Sequence, residues 1–441
     1  MQKFIVTGGK KLQGHVRVSG SKNVALKALV ASCLTSEKIT IHNVPLISDF
    51  YVMVDIMKDL GAAVRLNDHS IEVEMKTFLS HEITLENAAK ARTSAMFIAP
   101  LLARIKEAII PNPGGCRLGA RPVDRIIEGI RVLHADIVYH SEDGYFHAKT
   151  QGLRGEEYTF EKNTHTGTET LIMAAVLAKG TTILKNAAEE PEIDELIELL
   201  VAMGAQVKRT AHREITIHGV IALHGASYTI HPDRNEIVTF AIAAAMTDGD
   251  ILVEDAKISG IKEFLEKYKE AGGKYEVQNN AIRFFSNGPL RATNITTSIY
   301  PGFMTDWQSP WAVLMTKAHG ESLIHETVFE DKFGYVEDLK KMGAQIEFFH
   351  PEITNKDAVY NFNSEDDSPE FYHAIRIYGP TKLHNGVMTM VDIRAGAAVV
   401  LGALAAKGIS TIFGVEKLDR GYEDFEKRLT HLGAKIERIK E

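Results

Sequence analysis

One of the two cysteines in the chain, Cys116, lies in Pro111–Pro122, a segment rich in glycine, proline and arginine. Glycine and proline interrupt helices and strands, so this segment is predicted to be a loop. A loop exposes the sulfur to a ligand, and the neighbouring guanidinium groups of Arg117 and Arg121 favour the reactive thiolate form. The pattern indicates a reactive thiol at Cys116. The alternative is a surface turn that carries an unreactive cysteine.

Charged residues also stand at the predicted starts of apolar, small-residue helices. Free backbone N–H groups and the helix dipole attract anions at such starts, and guanidinium groups suit phosphate and carboxylate. If the helix starts of the two halves of the chain face each other, four cations would converge on one strongly anionic ligand: Lys22, Arg121, Arg394 and Arg420. Asp306 and Cys116 would then be candidates for base and acid. The alternative for each charged residue is a helix cap or a surface ion pair.

The elements that must position these residues recur along the chain. A predicted helix end, followed by Gly-Ala or a variant of it and then by a strand, occurs at six sites roughly 70 residues apart, with about 90 before the last site. Glycine at this point can adopt the positive φ that ends a helix. The six positions are Gly61, His134, Gly204, Gly272, Gly343 and Gly433, of which His134 and Gly272 belong to weaker copies.

Six helices of small apolar residues recur between these sites. They are apolar nearly all round and are therefore predicted to be buried. Their ranges are Val24–Leu34, Ser94–Leu102, Glu169–Ala178, Ile237–Met246, Trp311–Ala318 and Gly396–Ala406. The helices that alternate with them, such as Ile193–Met203, are amphipathic. The helix ends and the buried helices recur with the same period, which predicts six repeated units. The alternative is a chance similarity among the ordinary helix ends and turns of an α/β protein.

The repeat predicts an α/β protein of two domains, each built from three units with helices at the centre and sheets outside. A hinge is predicted near Pro232–Arg234, so that residues 22–232 form an N-terminal domain and residues 1–21 with 233–441 form a C-terminal domain. The strand Lys3–Val6 has no helix before it and is predicted to complete the C-terminal domain. The long last interval predicts a polar, acidic surface insertion within Phe349–Asn385.

Composition excludes several classes of protein. The 441 residues are 45% hydrophobic and carry a net charge of −8, which provides no general basic field for nucleic acid. Two cysteines cannot form a disulfide framework, and they fit a reducing cytoplasm. We find no signal-peptide core, no apolar run of about 18 residues, no glycine-rich nucleotide motif and no metal-binding histidine spacing. The sequence therefore predicts no membrane partner, no cofactor and no metal.

Five segments together carry a resemblance to a known family: Ser19–Asn23, Pro113–Asp124, Thr305–Gln308, Asp392–Ala395 and Asp419–Glu423. With the repeat, they make nearly the whole chain similar to the UDP-N-acetylglucosamine enolpyruvyl transferases of the EPSP synthase superfamily. The fold of that family is two inside-out α/β domains of three units each. The resemblance implies a cytoplasmic enzyme that transfers enolpyruvyl from phosphoenolpyruvate to the 3′-hydroxyl of UDP-N-acetylglucosamine and releases phosphate. This is the first committed step of peptidoglycan precursor synthesis, and it uses no cofactor.

The resemblance also implies roles for individual residues. Cys116, on a lid loop, protonates the methylene carbon of phosphoenolpyruvate and can bond to its C2, while Asp306 accepts the proton of the attacking hydroxyl. Asn23 lies near the tetrahedral centre. The phosphate-binding positions are Lys22, Arg121 and Arg420, and the carboxylate-binding position is Arg394. The positions that contact the sugar nucleotide are Arg92, Arg121, Pro122, Val123, Asp124, His165, Thr166, Gly167 and Val328, and Glu190 and Glu192 match acidic residues near the domain junction.

The chain departs from the family pattern at several positions. Lys332 stands where the family usually has an arginine, and a lysine cannot bind a carboxylate bidentately. Asn235 stands where an apolar residue is usual. Two alternatives follow: transfer to another acceptor, such as a different uridine nucleotide or shikimate 3-phosphate, or a non-catalytic sensor of the sugar nucleotide. Ser21 is closer to the sister enzyme that acts on shikimate 3-phosphate, but that enzyme lacks the cysteine loop.

Overall fold

A computed structural model describes residues 2–112, 123–286 and 288–440. Three residues with predicted roles, Cys116, Arg121 and Pro122, lie outside the described residues. Contacts between Cα atoms divide the described chain into two compact units. The N-terminal unit contains residues 20–112 and 123–231, and the C-terminal unit contains residues 2–19, 232–286 and 288–440.

The described residues form twenty-three strands. In chain order they are β1 (Gln2–Thr7), β2 (Gln13–Arg17), β3 (Ile39–His42), β4 (Ala63–Asn67), β5 (Ser70–Glu74), β6 (Glu107–Pro111), β7 (Asp136–His140), β8 (Tyr145–Lys149), β9 (Glu157–Thr159), β10 (Thr181–Lys185), β11 (Gln206–Ala211), β12 (Glu214–His218), β13 (Ala226–Thr229), β14 (Asp250–Glu254), β15 (Lys274–Gln278), β16 (Ala281–Phe285), β17 (Ile295–Thr296), β18 (Gly320–His325), β19 (Gln345–Phe349), β20 (Ala374–Gly379), β21 (Val387–Thr389), β22 (Ile409–Phe413) and β23 (Lys435–Lys440).

Fourteen α-helices alternate with these strands in the described residues. They are α1 (Lys22–Ser32), α2 (Ser48–Asp59), α3 (Leu85–Lys90), α4 (Ile98–Ile105), α5 (Asp124–Val132), α6 (His165–Ala175), α7 (Pro191–Ala202), α8 (Arg234–Met246), α9 (Lys262–Glu270), α10 (Gln308–Lys317), α11 (Val336–Lys341), α12 (Lys356–Val359), α13 (Ile393–Ala405) and α14 (Phe425–His431). Short 3-10 helices cover Arg92–Phe97, Thr305–Trp307, Ser364–Asp366 and Val415–Arg420. No helix of the described chain has the length and apolar character needed to cross a membrane.

The strands form six small sheets, three in each unit, and all share one order. The sheets are β4-β5-β3-β13, β7-β8-β6 and β11-β12-β10-β9 in the N-terminal unit, and β15-β16-β14-β2, β19-β20-β18-β17 and β23-β1-β22-β21 in the C-terminal unit. The first two strands in each order form an antiparallel pair, and a fourth strand, where present, pairs parallel with the third. In the three-stranded sheet a parallel bridge between Glu82 and Ile109 stands in the fourth position. The common order confirms the predicted sixfold repeat.

Strands from both ends of the sequence complete the C-terminal unit. β1 pairs antiparallel with β22 on one side and with β23 on the other, as predicted for Lys3–Val6. In three other repeats, the fourth strand of the sheet comes just before the buried helix and pairs with the strand that follows that helix, as β9, β17 and β21 do. β2 precedes α1 but pairs with β14, and β13 precedes α8 but pairs with β3. The first and fourth repeats have therefore exchanged their edge strands.

The predicted central helices are buried on all sides. Every residue of α8 is buried, and so are nearly all residues of α1, α10 and α13. In the C-terminal unit α8, α10 and α13 contact one another, and each also packs on a sheet. In the N-terminal unit α4 packs on α6, and the 3-10 turn before α4 contacts both α1 and α6. Each unit thus has its own hydrophobic core around three helices, with its sheets outside.

All six buried helices begin at other residues than the sequence predicts, and two of these differences have a clear physical cause. Ser94–Leu102 is divided into a 3-10 helix and α4, because Pro100 lacks the N–H group that a helix interior needs and fits only the first turn of an α-helix. The predicted helix Glu169–Ala178 instead runs from His165 to Ala175. Its first turn is set by Thr164, whose side chain accepts the N–H of Gly167 at 3.2 Å.

The amphipathic helices end as predicted, with a residue in the left-handed conformation. The φ values are +107° at Gly61, +67° at His134, +98° at Gly204, +90° at Gly272, +94° at Gly343 and +96° at Gly433. Five of the six residues are glycines, which adopt this conformation without steric cost. His134 adopts it with a β-carbon, so this helix end carries conformational strain.

The predicted acidic insertion lies in the connection between β19 and β20. It contains α12 and a 3-10 turn, and it is anchored to the C-terminal unit by its own aromatic residues. Tyr360 and Phe362 are buried and stack on each other, and both also contact the ring of His373. The N–H of Asn361 donates to the carbonyl oxygen of Thr327 at 2.8 Å. The insertion is therefore a packed part of the unit that supports the segment after β18.

Candidate active site

In the C-terminal unit, the starts of the three buried helices meet around the carboxylate of Asp306. Asp306 lies in the 3-10 turn that leads into α10. Its Oδ2 is 3.8 Å from Nε of Arg394, at the start of α13, and 3.4 Å from Nδ2 of Asn235, at the start of α8. The amide of Asn235 is oriented by Trp307, whose Nε1–H donates to Oδ1 at 2.9 Å. A carboxylate between a guanidinium group and an amide N–H is stabilised in its ionised form.

Arg394 is a buried cation with an unsatisfied donor. Asp392 caps α13 and accepts the N–H groups of Arg394 and Ala395 at 2.8 and 2.9 Å, which fixes the backbone there. The guanidinium carbon lies 5.1 Å from the centroid of the Tyr422 ring, and the side chain is almost fully buried. Burial works against the charge, but Tyr422 and Asp306 raise the pKa of Arg394 above its ordinary value. Its Nη1 has no hydrogen-bond partner among the described residues, as expected of a site for an anion.

Lys332 is a second buried cation of this unit. Its side chain is 3% exposed, and Nζ has no hydrogen-bond partner among the described residues. The neighbouring carboxylate is Glu326, which accepts the N–H groups of Val328 and Phe329 and the hydroxyl of Thr305. Burial raises the pKa of Glu326, and Lys332 opposes that rise. The segment from Glu326 to Lys332 is thus tied to the start of α10, where Asp306 lies.

The remaining predicted cation of the C-terminal unit, Arg420, ends the 3-10 helix Val415–Arg420 and is partly exposed. The preceding residue, Asp419, is held by the guanidinium group of Arg438 at 2.7 and 2.8 Å. Arg438 also binds Glu426 at 2.7 Å. This partly buried network fixes the turn that carries Arg420.

In the N-terminal unit, Lys22 and Asn23 open α1, whose N-cap is Ser21. Nζ of Lys22 is 2.7 Å from Oδ2 of Asp49, and both side chains are about nine-tenths buried. Asp49 lies in the first turn of α2, where an acid also complements the helix dipole. The predicted phosphate-binding lysine is therefore fixed by a carboxylate that the sequence analysis did not single out.

The other predicted nucleotide-binding residues of the N-terminal unit also lie at helix starts. Arg92 opens the 3-10 helix before α4, and Val123 and Asp124 form the start of α5. His165, Thr166 and Gly167 form the first turn of α6. A β-carbon at Gly167 would lie 2.4 Å from Cγ2 of Thr164, so this turn requires glycine. Glu190 and Glu192, at the start of α7, are buried.

The structure thus assembles two groups of predicted residues, one in each unit. Asp306, Arg394 and Lys332 lie on connected segments of the C-terminal unit, while Lys22, Asn23, Arg92 and the His165 turn open buried helices of the N-terminal unit. The residues that sequence reasoning missed contact these groups: Lys27, Asp49, Glu169 and Tyr422. The signal for Lys27 and Glu169 was present, since each is a charged residue within a stretch that the sequence predicts to be a buried apolar helix.

One cluster of metal-ligand side chains is found in the described chain, on the β7–β8 hairpin. Ligand atoms of His140, Asp143 and His147 lie within 4.8 Å of one another. Both carboxylate oxygens of Asp143 are already used, by the N–H of Tyr145 at 2.9 Å and by His147 at 2.8 Å. The rings of His140 and His147 are stacked face to face. These contacts stabilise the hairpin turn, and this role accounts for the cluster without a metal ion.

Comparison with known proteins identifies the class of protein that this fold and site define. The family profile described as EPSP synthase (3-phosphoshikimate 1-carboxyvinyltransferase) matches residues 6–429. The chain belongs to this family, and it is an enolpyruvyl transferase that uses phosphoenolpyruvate.

Relatives within the family carry a more particular name. The UDP-N-acetylglucosamine 1-carboxyvinyltransferase of Koribacter versatilis is 38% identical over 445 aligned residues, which cover 100% of this chain and 97% of the relative. The protein of the same name from Desulfatibacillum aliphaticivorans is 38% identical over 440 residues and 100% of both chains.

Solved structures confirm the fold. The enolpyruvyl transferase NikO from Streptomyces tendae superposes with a TM-score of 0.87 over 99% of both chains, at 22% identity. An EPSP synthase from Acinetobacter baumannii superposes with a TM-score of 0.76 over 100% of both chains, at 18% identity. The inside-out α/β architecture predicted from the repeat is therefore the architecture of the family.

Proposed function

We propose that this enzyme transfers the enolpyruvyl group of phosphoenolpyruvate to the 3′-hydroxyl of UDP-N-acetylglucosamine and releases phosphate. The observation that carries the proposal is the C-terminal group of residues, in which two buried cations with unsatisfied donors, Arg394 and Lys332, lie on segments connected to the carboxylate of Asp306. A small dianionic or trianionic substrate would supply the missing partners. The names of the relatives at 38% identity support the choice of acceptor.

In the proposed mechanism, Asp306 accepts the proton of the 3′-hydroxyl as its oxygen bonds to C2 of phosphoenolpyruvate. Cys116 donates a proton to the methylene carbon, which becomes a methyl group in the tetrahedral intermediate. Loss of a proton from that methyl group and departure of phosphate from C2 restore the double bond. Arg394 and Lys332 bind the carboxylate end of phosphoenolpyruvate, and the charge that develops on the phosphate is stabilised by Lys22, Arg121 and Arg420.

The acceptor is assigned to the N-terminal unit. Asn23 is proposed to lie near the tetrahedral centre, and the segment after β18 contributes Val328. The remaining proposed contacts to the nucleotide are Arg92, Arg121, Pro122, Val123, Asp124, His165, Thr166 and Gly167. The reaction needs no cofactor, and its product would enter peptidoglycan synthesis, so we expect the enzyme to act in the cytoplasm and to be required for cell wall growth and division.

The test is phosphate release from phosphoenolpyruvate in the presence of UDP-N-acetylglucosamine. We expect release by the unmodified enzyme, and a loss of about 10²-fold or more in kcat for both Asp306→Asn and Cys116→Ala. Asp136→Asn, at an exposed position of β7, is the control and should retain full activity.

The same assay separates the alternatives. Release with another uridine nucleotide or with shikimate 3-phosphate, but not with UDP-N-acetylglucosamine, would replace the proposed acceptor. Binding of the sugar nucleotide without any phosphate release would contradict transfer and indicate a sensor.

A further inference from the structure

Three ionisable side chains form a buried network in the N-terminal unit that the proposed mechanism does not use. Nζ of Lys27, in α1, is 3.2 Å from Oε2 of Glu169, in α6. The other oxygen of Glu169 is 3.2 Å from Nε2 of His165, one turn earlier in α6. The side chain of Glu169 is 0% exposed and that of Lys27 is 7% exposed, whereas that of His165 is 23% exposed. The network thus leads from a fully buried carboxylate to a partly exposed imidazole.

Stability alone does not explain this network. Desolvating a carboxylate and an ammonium group costs several kcal/mol, and apolar side chains of similar size often replace such a pair without loss. Both residues lie on helices whose other buried positions are mostly apolar or small. A buried pair at this position therefore indicates a function, and the group that it acts on is His165.

The position of His165 disfavours the charged form of its imidazole. It is the first residue of α6, and the helix dipole disfavours a cation at that end. Burial of the ring also lowers its pKa, and so does Lys27. The Glu169 carboxylate opposes these effects, with a smaller contribution from Glu190 at the start of α7, and the pKa of His165 is raised above its ordinary value. The Glu169 carboxylate thus favours the charged form of the imidazole.

We propose that Glu169, paired with Lys27, is a positioning residue that favours the charged form of His165 for binding an anionic phosphate group of the acceptor nucleotide. The inference rests on the proposed function, since it assigns the acceptor to the first turn of α6. The charge of Lys27 cancels that of Glu169, so the network presents one net positive charge through His165. A phosphate group near this turn also meets the positive end of the helix dipole.

The proposal predicts a pH dependence with a definite sign. A raised pKa means that the imidazolium is present below that pKa and is lost as the pH rises through it. The groups that act on it are Glu169 from its own helix, Lys27 from α1 and Glu190 from the start of α7. KM for the acceptor should therefore rise as the pH rises through the pKa of His165. KM for phosphoenolpyruvate should not follow the same curve.

The experiment compares the unmodified enzyme with Glu169→Gln and with the double variant Lys27→Met/Glu169→Gln. The double variant is included because Glu169→Gln alone leaves the buried Lys27 charge without its partner, which can unfold the unit. The charge of His165 is followed by histidine NMR across pH, with and without UDP-N-acetylglucosamine or UMP. KM for both substrates and kcat are measured across the same range.

We expect the variants to lower the pKa of His165 and to move the rise in acceptor KM to lower pH by the same amount. At a pH above both pKa values, a His165 pKa that is lower by one corresponds to about a tenfold rise in KM for the acceptor. The effect should disappear in a His165→Ala background, because Glu169 then has no imidazole to act on. An unchanged His165 titration in both variants, or a KM change that is independent of pH and persists without His165, would overturn the proposal.

The NMR arm also separates this proposal from the proposed function, because it requires no turnover. Absence of phosphate release from the unmodified enzyme would refute the choice of acceptor. If UMP still raised the pKa of His165 in that case, the anion-binding role of the network would stand. If neither nucleotide affected the His165 signal, the role in binding would be refuted.

Discussion

At the scale of single residues, the C-terminal group is defined by donors that lack partners. Most buried polar groups in proteins are hydrogen-bonded, and a buried cation without a partner costs several kcal/mol. Arg394 and Lys332 both have donors without a partner among the described residues, although the surrounding helices are packed closely. We infer that Arg394 and Lys332 lower the stability of the free protein and gain their missing hydrogen-bond partners when an anionic substrate binds.

Lys332→Met tests that inference. We expect KM for phosphoenolpyruvate to rise by about tenfold or more, since a hydrogen bond to a charged group contributes about 1.5–3 kcal/mol. The thermal stability of the free enzyme should not fall, because the substitution removes a buried charge with no hydrogen-bond partner in the described residues. Thermal unfolding and substrate kinetics measure the two effects. Lys435→Met, on the exposed side of β23, is the control for loss of a lysine.

Asn235→Leu tests the support of the proposed base. Leucine restores the apolar character that the family usually has here, but it removes the N–H that donates to Asp306. We expect kcat to fall about tenfold and the acid limb of the pH profile to move to higher pH, because a lost donor raises the pKa of a carboxyl group. A fall in kcat with no change in the pH profile would contradict this role. Asn280→Leu, in an exposed turn, is the matched control.

At the scale of elements, the sequence predicted what local chemistry determines. The positive φ at Gly61, Gly204, Gly343 and Gly433 follows from glycine at a helix end. The mostly apolar composition of α8 and α13 predicted their burial. The start of α6 was missed because Thr164 was not identified as its cap. The pairs Lys22–Asp49 and Lys27–Glu169 join different helices, and neither periodicity nor local spacing reports which helices are neighbours.

His134→Gly tests the strain at the one helix end of the repeat without glycine. The left-handed conformation costs a residue with a β-carbon about 1–2 kcal/mol, and the substitution to glycine removes this cost. The greater conformational entropy of glycine in the unfolded chain offsets part of the resulting stabilisation. We expect a net stabilisation of about 0.5–1 kcal/mol in chemical denaturation. His134→Ala keeps the β-carbon and loses the 3.0 Å contact with Glu156, so it should not stabilise the protein. Equal stability of the two variants would refute the role of strain.

At the scale of the whole molecule, the topology makes the two units unequal. The described residues of the N-terminal unit, 20–112 and 123–231, lie in one part of the sequence, whereas the C-terminal unit needs residues 2–19 as well as residues after 231. Residues 2–19 supply β1, between β22 and β23, and β2, beside β14. The sequence predicted the placement of β1, but the exchange of β2 and β13 depends on long-range pairing that the repeat alone does not specify.

A fragment of residues 232–441 should therefore not fold by itself, because it would leave β23 without a partner and one edge of β22 unpaired over an open core. Joining residues 1–19 to its C-terminus through a flexible linker should restore a cooperative unfolding transition, since β1 lies beside β23. Circular dichroism and thermal unfolding compare the two forms. A fragment of residues 20–231 is the control and should fold. Cooperative folding of the 232–441 fragment without β1 would contradict the expectation.

The position of β1 also has a consequence for biosynthesis. β1 ends at Thr7, whereas its partners, β22 and β23, begin only at Ile409 and Lys435, so β1 is synthesised long before either of them. Translation at about 5–20 residues per second leaves this strand without a partner for tens of seconds. Its alternation of buried and partly exposed residues would be open to other strands during that time. The nascent chain must therefore keep β1 soluble until β22 and β23 have been made, and a chaperone that binds nascent chains has a defined target in Gln2–Thr7.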